Sequence, residues 1–258
     1  MVALKTFVFG AIALAEVVAG KRLFYNSGVL KGWDFVRAEH LGNITEDKEF
    51  SYRSGKSLKV TQKYDIHFHN HYYTSVERND GHSRNDERYY GLLFRLADNW
   101  EPVNQSMTIA YFESHRAGRK NCGQHQLVGN SIWIKDRTLK ARVIGGHFAG
   151  KNCKLKETEL PDLGEVTPGK WHKLIFHAKW RSDNSGQFSA WLDGKKTVDK
   201  KKVHTTVAGP WHFQFRVGLW PHSWHDEGRM EGTQTIREAW FDEISIGQQF
   251  KDVDPDMW

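Results

Sequence analysis

The 258 residues carry 39% apolar and 26% charged side chains, the proportions of a soluble globular protein, with room for one large domain or two small ones. A formal net charge of +6 favours acidic partners, whether nucleic acid, anionic polysaccharide or membrane surface, without choosing among them. Tryptophan is the outlier at 11 residues, which suits a large β core and also clefts where sugar rings stack on indole faces.

In chain order, Met1–Lys5 supplies one positive charge and Thr6–Val18 is a short apolar run interrupted by Gly10 and Glu16, with Ala19 and Gly20 behind it. This predicts a secretory signal peptide over residues 1–20, too short and too interrupted for a membrane span. Cleavage after Ala15, after Gly20, or with trimming at Lys21–Arg22 all stay open, as does the alternative of a buried N-terminal strand or helix. Residues 21–258 then form the exported domain. Export makes the glycosylation sequons at Asn43 and Asn104 usable. It also makes a disulfide between Cys122 and Cys153 the default, two free buried thiols being the alternative.

Beyond the leader, Ser57–Gln62, Tyr90–Leu96, Met107–Phe112, Ser131–Ile134, Lys140–Ile144, Trp171–Trp180, Phe188–Leu192, Phe213–Leu219 and Ala239–Ile246 alternate or run β-rich, and each predicts a strand. Turn signals such as Ser182–Gly186 and Asp193–Gly194 separate them. The Lys-rich run Lys195, Lys196, Lys200, Lys201, Lys202 reads as a solvated turn. No window keeps a 3.6-residue period, and no repeat or linker divides the chain. About a dozen strands at this spacing predict an all-β, single-domain jelly-roll β-sandwich of the concanavalin-like kind.

Residues two apart share a face of a strand. In Trp211–Trp224, Phe213, Phe215, Val217 and Leu219 take one face. The other holds His212, Gln214, Arg216, Gly218, Trp220 and His222, a mixture that suits a binding surface better than a merely solvated one. Within Asp65–Ser75, read as a strand, His67, His69, His71 and Tyr73 align. Around Tyr111, Ile109, Glu113 and His115 align with it. In a curved sheet these three segments line one groove. The pair His67 and His69, or His69 and His71, could hold zinc or copper with a third ligand from His115, His222 or His225, but with 14 histidines in the chain cleft-lining, sugar-contacting imidazoles are the simpler reading. No metal or other cofactor is therefore expected, and no phosphate-cradling glycine loop precedes a helix. Nucleic-acid binding rests on net charge alone.

Several segments resemble the fungal glucuronan lyases, polysaccharide lyase family 20. They are Phe213–Leu219, Trp224–Asp226, Gly232–Gln234, Trp240–Ile244 and the ending Asp252–Trp258. Trp171–Lys173, Lys179–Trp180, Trp191–Gly194 and Tyr90–Leu96 with Asn99–Trp100 are similar too. The likeness runs from about Ser51 onward and is loose between Asp65 and Asn121. It implies a jelly roll and β-elimination on a (1→4)-linked polyglucuronate. That reaction needs a group that neutralises the uronate carboxylate, a base for the C5 proton and an acid for the leaving oxygen.

The departures fall on those positions. The family's catalytic His corresponds to Tyr73, its carboxylate-facing Arg to His71, its neutralising Gln to Tyr111, and its catalytic Tyr to Trp220, whose indole N–H cannot act as a general acid or base. The resemblance thus implies Tyr73, Tyr111 and His222 as candidate catalytic residues, and His69, His71, Glu113, Gln214, Arg216 and Trp220 as candidate substrate contacts. Two outcomes follow. Either the chain is a secreted, monomeric lyase of an acidic polysaccharide with a rearranged site, or the groove has been redeployed. A redeployed groove would bind glycan without cleavage, or host a different elimination, isomerisation or cyclisation on a small molecule.

Overall fold

The computed structural model describes residues 21–114, 127–149 and 152–258. Among the described residues, sixteen strands build two sheets that face each other across a shared apolar core. The first sheet runs, in spatial order, Lys195–Val203 (β14), Gly186–Leu192 (β13), Trp171–Lys179 (β12), Glu87–Leu96 (β6), Ile236–Gly247 (β16), Ser57–Lys63 (β4) and Asn43–Asp47 (β3). Arg22–Asn26 (β1) pairs with the far end of β16. The second runs Asn152–Glu159 (β10), Thr138–Ala149 (β9), Leu127–Lys135 (β8), Met107–Ser114 (β7), His212–Trp220 (β15), Thr74–Ser83 (β5) and Phe35–Ala38 (β2), with Gly164–Glu165 (β11) on β9. Every pairing between strands is antiparallel. The architecture is the expected all-β jelly-roll sandwich.

The alternation of β15 decides the placement of the site. Phe213, Phe215, Val217 and Leu219 all point inward and are at most 2% exposed. Phe215 stacks on Phe112 of β7 at 5.2 Å and meets Tyr90 of β6 at 5.3 Å. The opposite side chains of β15 must then rise from the outer face of the second sheet, where β5 and β7 flank it. Burying each large aromatic from water contributes roughly 1.5–3 kcal/mol, so a one-residue slip that exchanged the two faces of β15 is strongly disfavoured.

Several expectations are corrected. Asp65–Tyr73 is an irregular segment, and β5 begins at Thr74. It is held by the Tyr72 hydroxyl, which donates to the Asp65 carbonyl at 2.8 Å, and by the ring of Phe68 stacked on His40 at 3.7 Å. The period-two alignment of His67, His69, His71 and Tyr73 therefore does not exist. The Lys-rich run is the edge strand β14, not a turn: Val198 and Val203 are buried while Lys195, Lys196, Lys200, Lys201 and Lys202 are exposed, the charged edge that discourages strand addition. Ile109 belongs to the core rather than to Tyr111's face, because the register shifts between Thr108 and Ala110. Strands β1, β2, β3, β5, β10 and β11 were not anticipated. Asn43 and Asn104 are both exposed. Residues 1–20 and Cys122, like the side chain of Cys153, lie outside the described residues, so the leader and the disulfide do too. Among the described residues no helix is long and apolar enough to cross a membrane.

Candidate active site

Two strands, the irregular segment that leads into β5 and one short helix supply the site. Tyr73 immediately precedes β5, Tyr111 lies mid-β7, and Trp220 ends β15, where Pro221 halts the strand and starts the five-residue helix His222–Asp226 (α1). Tyr73, Tyr111 and Trp220 form a small aromatic cluster separate from the main core. The indole of Trp220 sits 5.1 Å from each tyrosine ring. Tyr73 and Trp220 keep 9% and 7% of their surface exposed, so their edges reach solvent, whereas Tyr111 at 1% does not. Tyr111 is the floor beneath the other two.

His71 and His222 both border this cluster. His71 stands 5.5 Å from the Tyr73 ring and 6.3 Å from Trp220; His222 stands 5.2 Å from Trp220. The Nδ1 of His222 is bonded to Thr108 Oγ1 at 3.0 Å. When that nitrogen donates, Nε2 carries the lone pair. Burial lowers the pKa of His222 below the ordinary 6.5, and burial together with His225 lowers that of His71. Burial also raises both phenols, with the Glu113 carboxylate adding to the effect. Tyr111 is pushed up to about 12 and Tyr73 further. All four groups are thus neutral near pH 7.

Beside the aromatics, on the same face of the sheet, runs a buried ladder of charges. The Arg216 guanidinium donates to Glu113 Oε2 at 2.6 Å and to Gln214 Oε1 at 2.6 Å, and it lies 3.5 Å from Glu77 Oε2. Its Nη1 is also 3.5 Å from the Tyr111 hydroxyl. Glu77 accepts from Arg37 Nε at 2.7 Å, and Arg37 pairs in turn with Glu39. Gln214 donates to Asn79 at 2.6 Å. Arg216, Glu77 and Glu113 are no more than 1% exposed, so each charge is tolerable only because it is paired. Burial raises the pKa of Glu113 while Arg216 opposes the rise.

The structure therefore gathers Tyr73, Tyr111, Trp220, His71, His222, Glu113, Gln214 and Arg216 on one face. It leaves His69 apart, exposed in the irregular segment. Arg37, Glu39 and Glu77 were missed because β2 and the middle of β5 carry no legible alternation. Arg216, a candidate for the substrate carboxylate, is committed to Glu113, Gln214 and Glu77.

The polysaccharide lyase family model matches residues 25–245. No curated protein matches the chain. Among solved structures, it is similar to the endo-β-1,4-glucuronan lyase of the fungus Trichoderma reesei, with 40% identity and a TM-score of 0.89 over 92% of this chain and all of that one. The cellulose-induced protein Cip1 (18% identity, TM-score 0.52, 84% of this chain and 91% of that one) and the PL-14 alginate lyase of Aplysia kurodai (10%, 0.55, 88% and 98%) share the fold. On this evidence the chain belongs to the polysaccharide lyase family, as a glucuronan lyase-like member.

Proposed function

We propose that this protein is a secreted carbon–oxygen lyase that cleaves a uronate polysaccharide of the glucuronan type by β-elimination. The observation that carries the reading is that two protonatable side chains, Tyr73 at 5.1 Å and His222 at 5.2 Å, both pack on the indole of Trp220 in a chain 40% identical to a glucuronan lyase. A sugar ring lying over Trp220 brings its C5 hydrogen and its glycosidic oxygen within reach of the two groups. His222 Nε2 takes the C5 proton, the electrons of the C5–H bond form the C4–C5 double bond, and the C4–O bond breaks. The departing oxygen takes the Tyr73 hydroxyl proton, which solvent restores. Tyr111 supports the floor, and the Arg216–Glu113 ladder holds Tyr111 and Gln214 in place.

The test is incubation of folded protein with polyglucuronate, alginate and other polyuronates while following the absorbance of the 4,5-unsaturated uronate end. Rising absorbance that is lost in Tyr73→Phe supports the reading; no product on any polyuronate sinks it. A second reading has its own observation, since aromatic side chains replace polar ones and the groove's arginine is already paired. A less polar ligand would suit such a surface, bound without cleavage or converted by another elimination, isomerisation or cyclisation.

A further inference from the structure

The end of the site nearest His71 holds groups that the elimination does not use. His71 lies in the irregular segment before β5, and His225 and Asp226 lie in the last turn of α1. Far apart in sequence, the two imidazoles approach with ring centroids 3.7 Å apart and planes tilted by 34°. One ligand atom from each of His71, His225 and Asp226 falls within 4.8 Å of the others. Asp226 Oδ1 already bonds His225 Nδ1 at 2.8 Å, and the Nδ1 of His71 is buried with no hydrogen-bond partner. A buried imidazole nitrogen without a partner is uncommon and calls for an explanation. Two imidazoles this close repel as soon as both are protonated, whereas a shared cation turns the same arrangement into an attraction. The carboxylates of Asp226 and Glu39 both bear on His71 electrostatically, adding negative potential to the spot.

We infer that His71, His225 and Asp226 form a binding site for a divalent transition metal of the zinc class. Two nitrogens and one carboxylate oxygen suit zinc and its neighbours, whereas calcium and magnesium take oxygen sets. Three protein ligands with a fourth position left open is the pattern of a zinc that binds a further molecule. Metal–ligand distances of about 2.0–2.1 Å place ligand atoms about 3.3 Å apart in a tetrahedron. The present spacing closes to that by side-chain rotation, which is open to His225 and Asp226 because they are half-exposed and exposed.

The site goes beyond the elimination described above. Its use there rests on the lyase reading: a cation beside Tyr73 would meet the uronate carboxylate with the positive charge that Arg216 has committed to Glu113. Occupancy itself needs no polysaccharide. The protein is stripped with a chelator and titrated calorimetrically with Zn²⁺, then with Co²⁺ while its visible absorption is followed, and its melting temperature is recorded with and without metal. The expected result is one tight site per chain, a tetrahedral Co²⁺ spectrum and a higher melting temperature with zinc. His71→Gln, His225→Gln and Asp226→Asn each weaken binding, the histidines by more than the roughly 10–100-fold that loss of an outer-shell partner costs, while His67→Gln on the same irregular segment binds as the parent does. The metal-free melting temperature of each variant checks that it folds. No zinc binding by the parent, or binding undiminished by the three substitutions, overturns the site; loss of binding in His67→Gln overturns it too. Because these readouts contain no substrate, failure to cleave polyuronate bears on the lyase reading alone.

Discussion

At the scale of single residues, Trp220 sets the problem. Indole offers a face and an edge but no exchangeable proton of useful acidity, so any proton transfer must come from the groups around it. Replacing Tyr73 by Phe removes one hydroxyl and leaves the ring that packs on Trp220. On the lyase reading kcat on polyglucuronate then falls about 10²- to 10⁴-fold with KM little changed, measured as initial rates of absorbance increase. On the same reading His222 sets the acid limb: as the proposed base it must be neutral, and burial lowers its pKa from the ordinary 6.5. The rate therefore rises with pH through an inflection below 6.5 and is flat above it. A kcat/KM profile that inflects above that value would assign the proton to another group. Arg216 belongs to stability. Arg216→Ala leaves Glu113 and Glu77 as buried carboxylates short of a partner, at a cost of about 3–5 kcal/mol in urea unfolding. The double variant Arg216→Met, Glu113→Leu regains part of that loss, and a single variant indistinguishable from the parent would contradict the buried pairing.

At the scale of elements, the strands do two jobs at once. β5 lends its beginning to the site and its end to the core. His82 of β5 is 2% exposed, stacked on Trp180 at 3.6 Å and on Phe213 at 4.6 Å. Its Nε2 meets Thr206 Oγ1 at 3.1 Å. Burial, reinforced by the Arg88 charge, holds its pKa well below the ordinary 6.5. With the folded value depressed, the unfolded chain takes up a proton that the folded one refuses. His82 thus costs no stability above the unfolded value, and stability falls as pH drops below it, by up to about 1.4 kcal/mol per pH unit. Urea midpoints recorded from about pH 7 to about pH 5 should fall less steeply for His82→Phe than for the parent; parallel curves would show that the ring titrates freely. On the other sheet, β6 and the C-terminal segment Phe250–Trp258 are made for each other. A side chain at Gly91 would run into the Val253 carbonyl, and Lys173 ties the segment down through Asp254 at 2.7 Å and Asp256 at 2.5 Å.

At the scale of the whole molecule, net charge and site charge differ. The chain carries +6, yet the arginines nearest the aromatic cluster are neutralised by Glu113, Glu77 and Glu39. On the lyase reading the basic surplus would act over distance rather than by contact, for instance from the exposed lysines of β14. On that reading, capture of a polyuronate should then slow as salt is raised from about 0.05 to about 0.5 M, where the screening length shrinks to a few ångströms. Turnover of bound substrate should change far less. Pre-steady-state binding at several ionic strengths separates the two, and salt-independent capture would remove the steering role.

The sequence by itself determined the fold class, because alternation in strands such as Phe213–Leu219 states which side must leave water. It also determined which residues of β15 share the outer face, since a period of two is a local property of the chain. The C-terminal signature pointed to the family for the same reason: its residues are contiguous. Tertiary structure alone decided the rest. Asp65–Tyr73 alternates on paper but lies in no ladder, so parity there predicts nothing about who meets whom. The charge ladder of Arg37, Glu77, Arg216 and Glu113 joins four strands, and the approach of His71 to His225 closes a gap of over 150 positions. Such contacts arise when separate segments pack, and no local pattern encodes them.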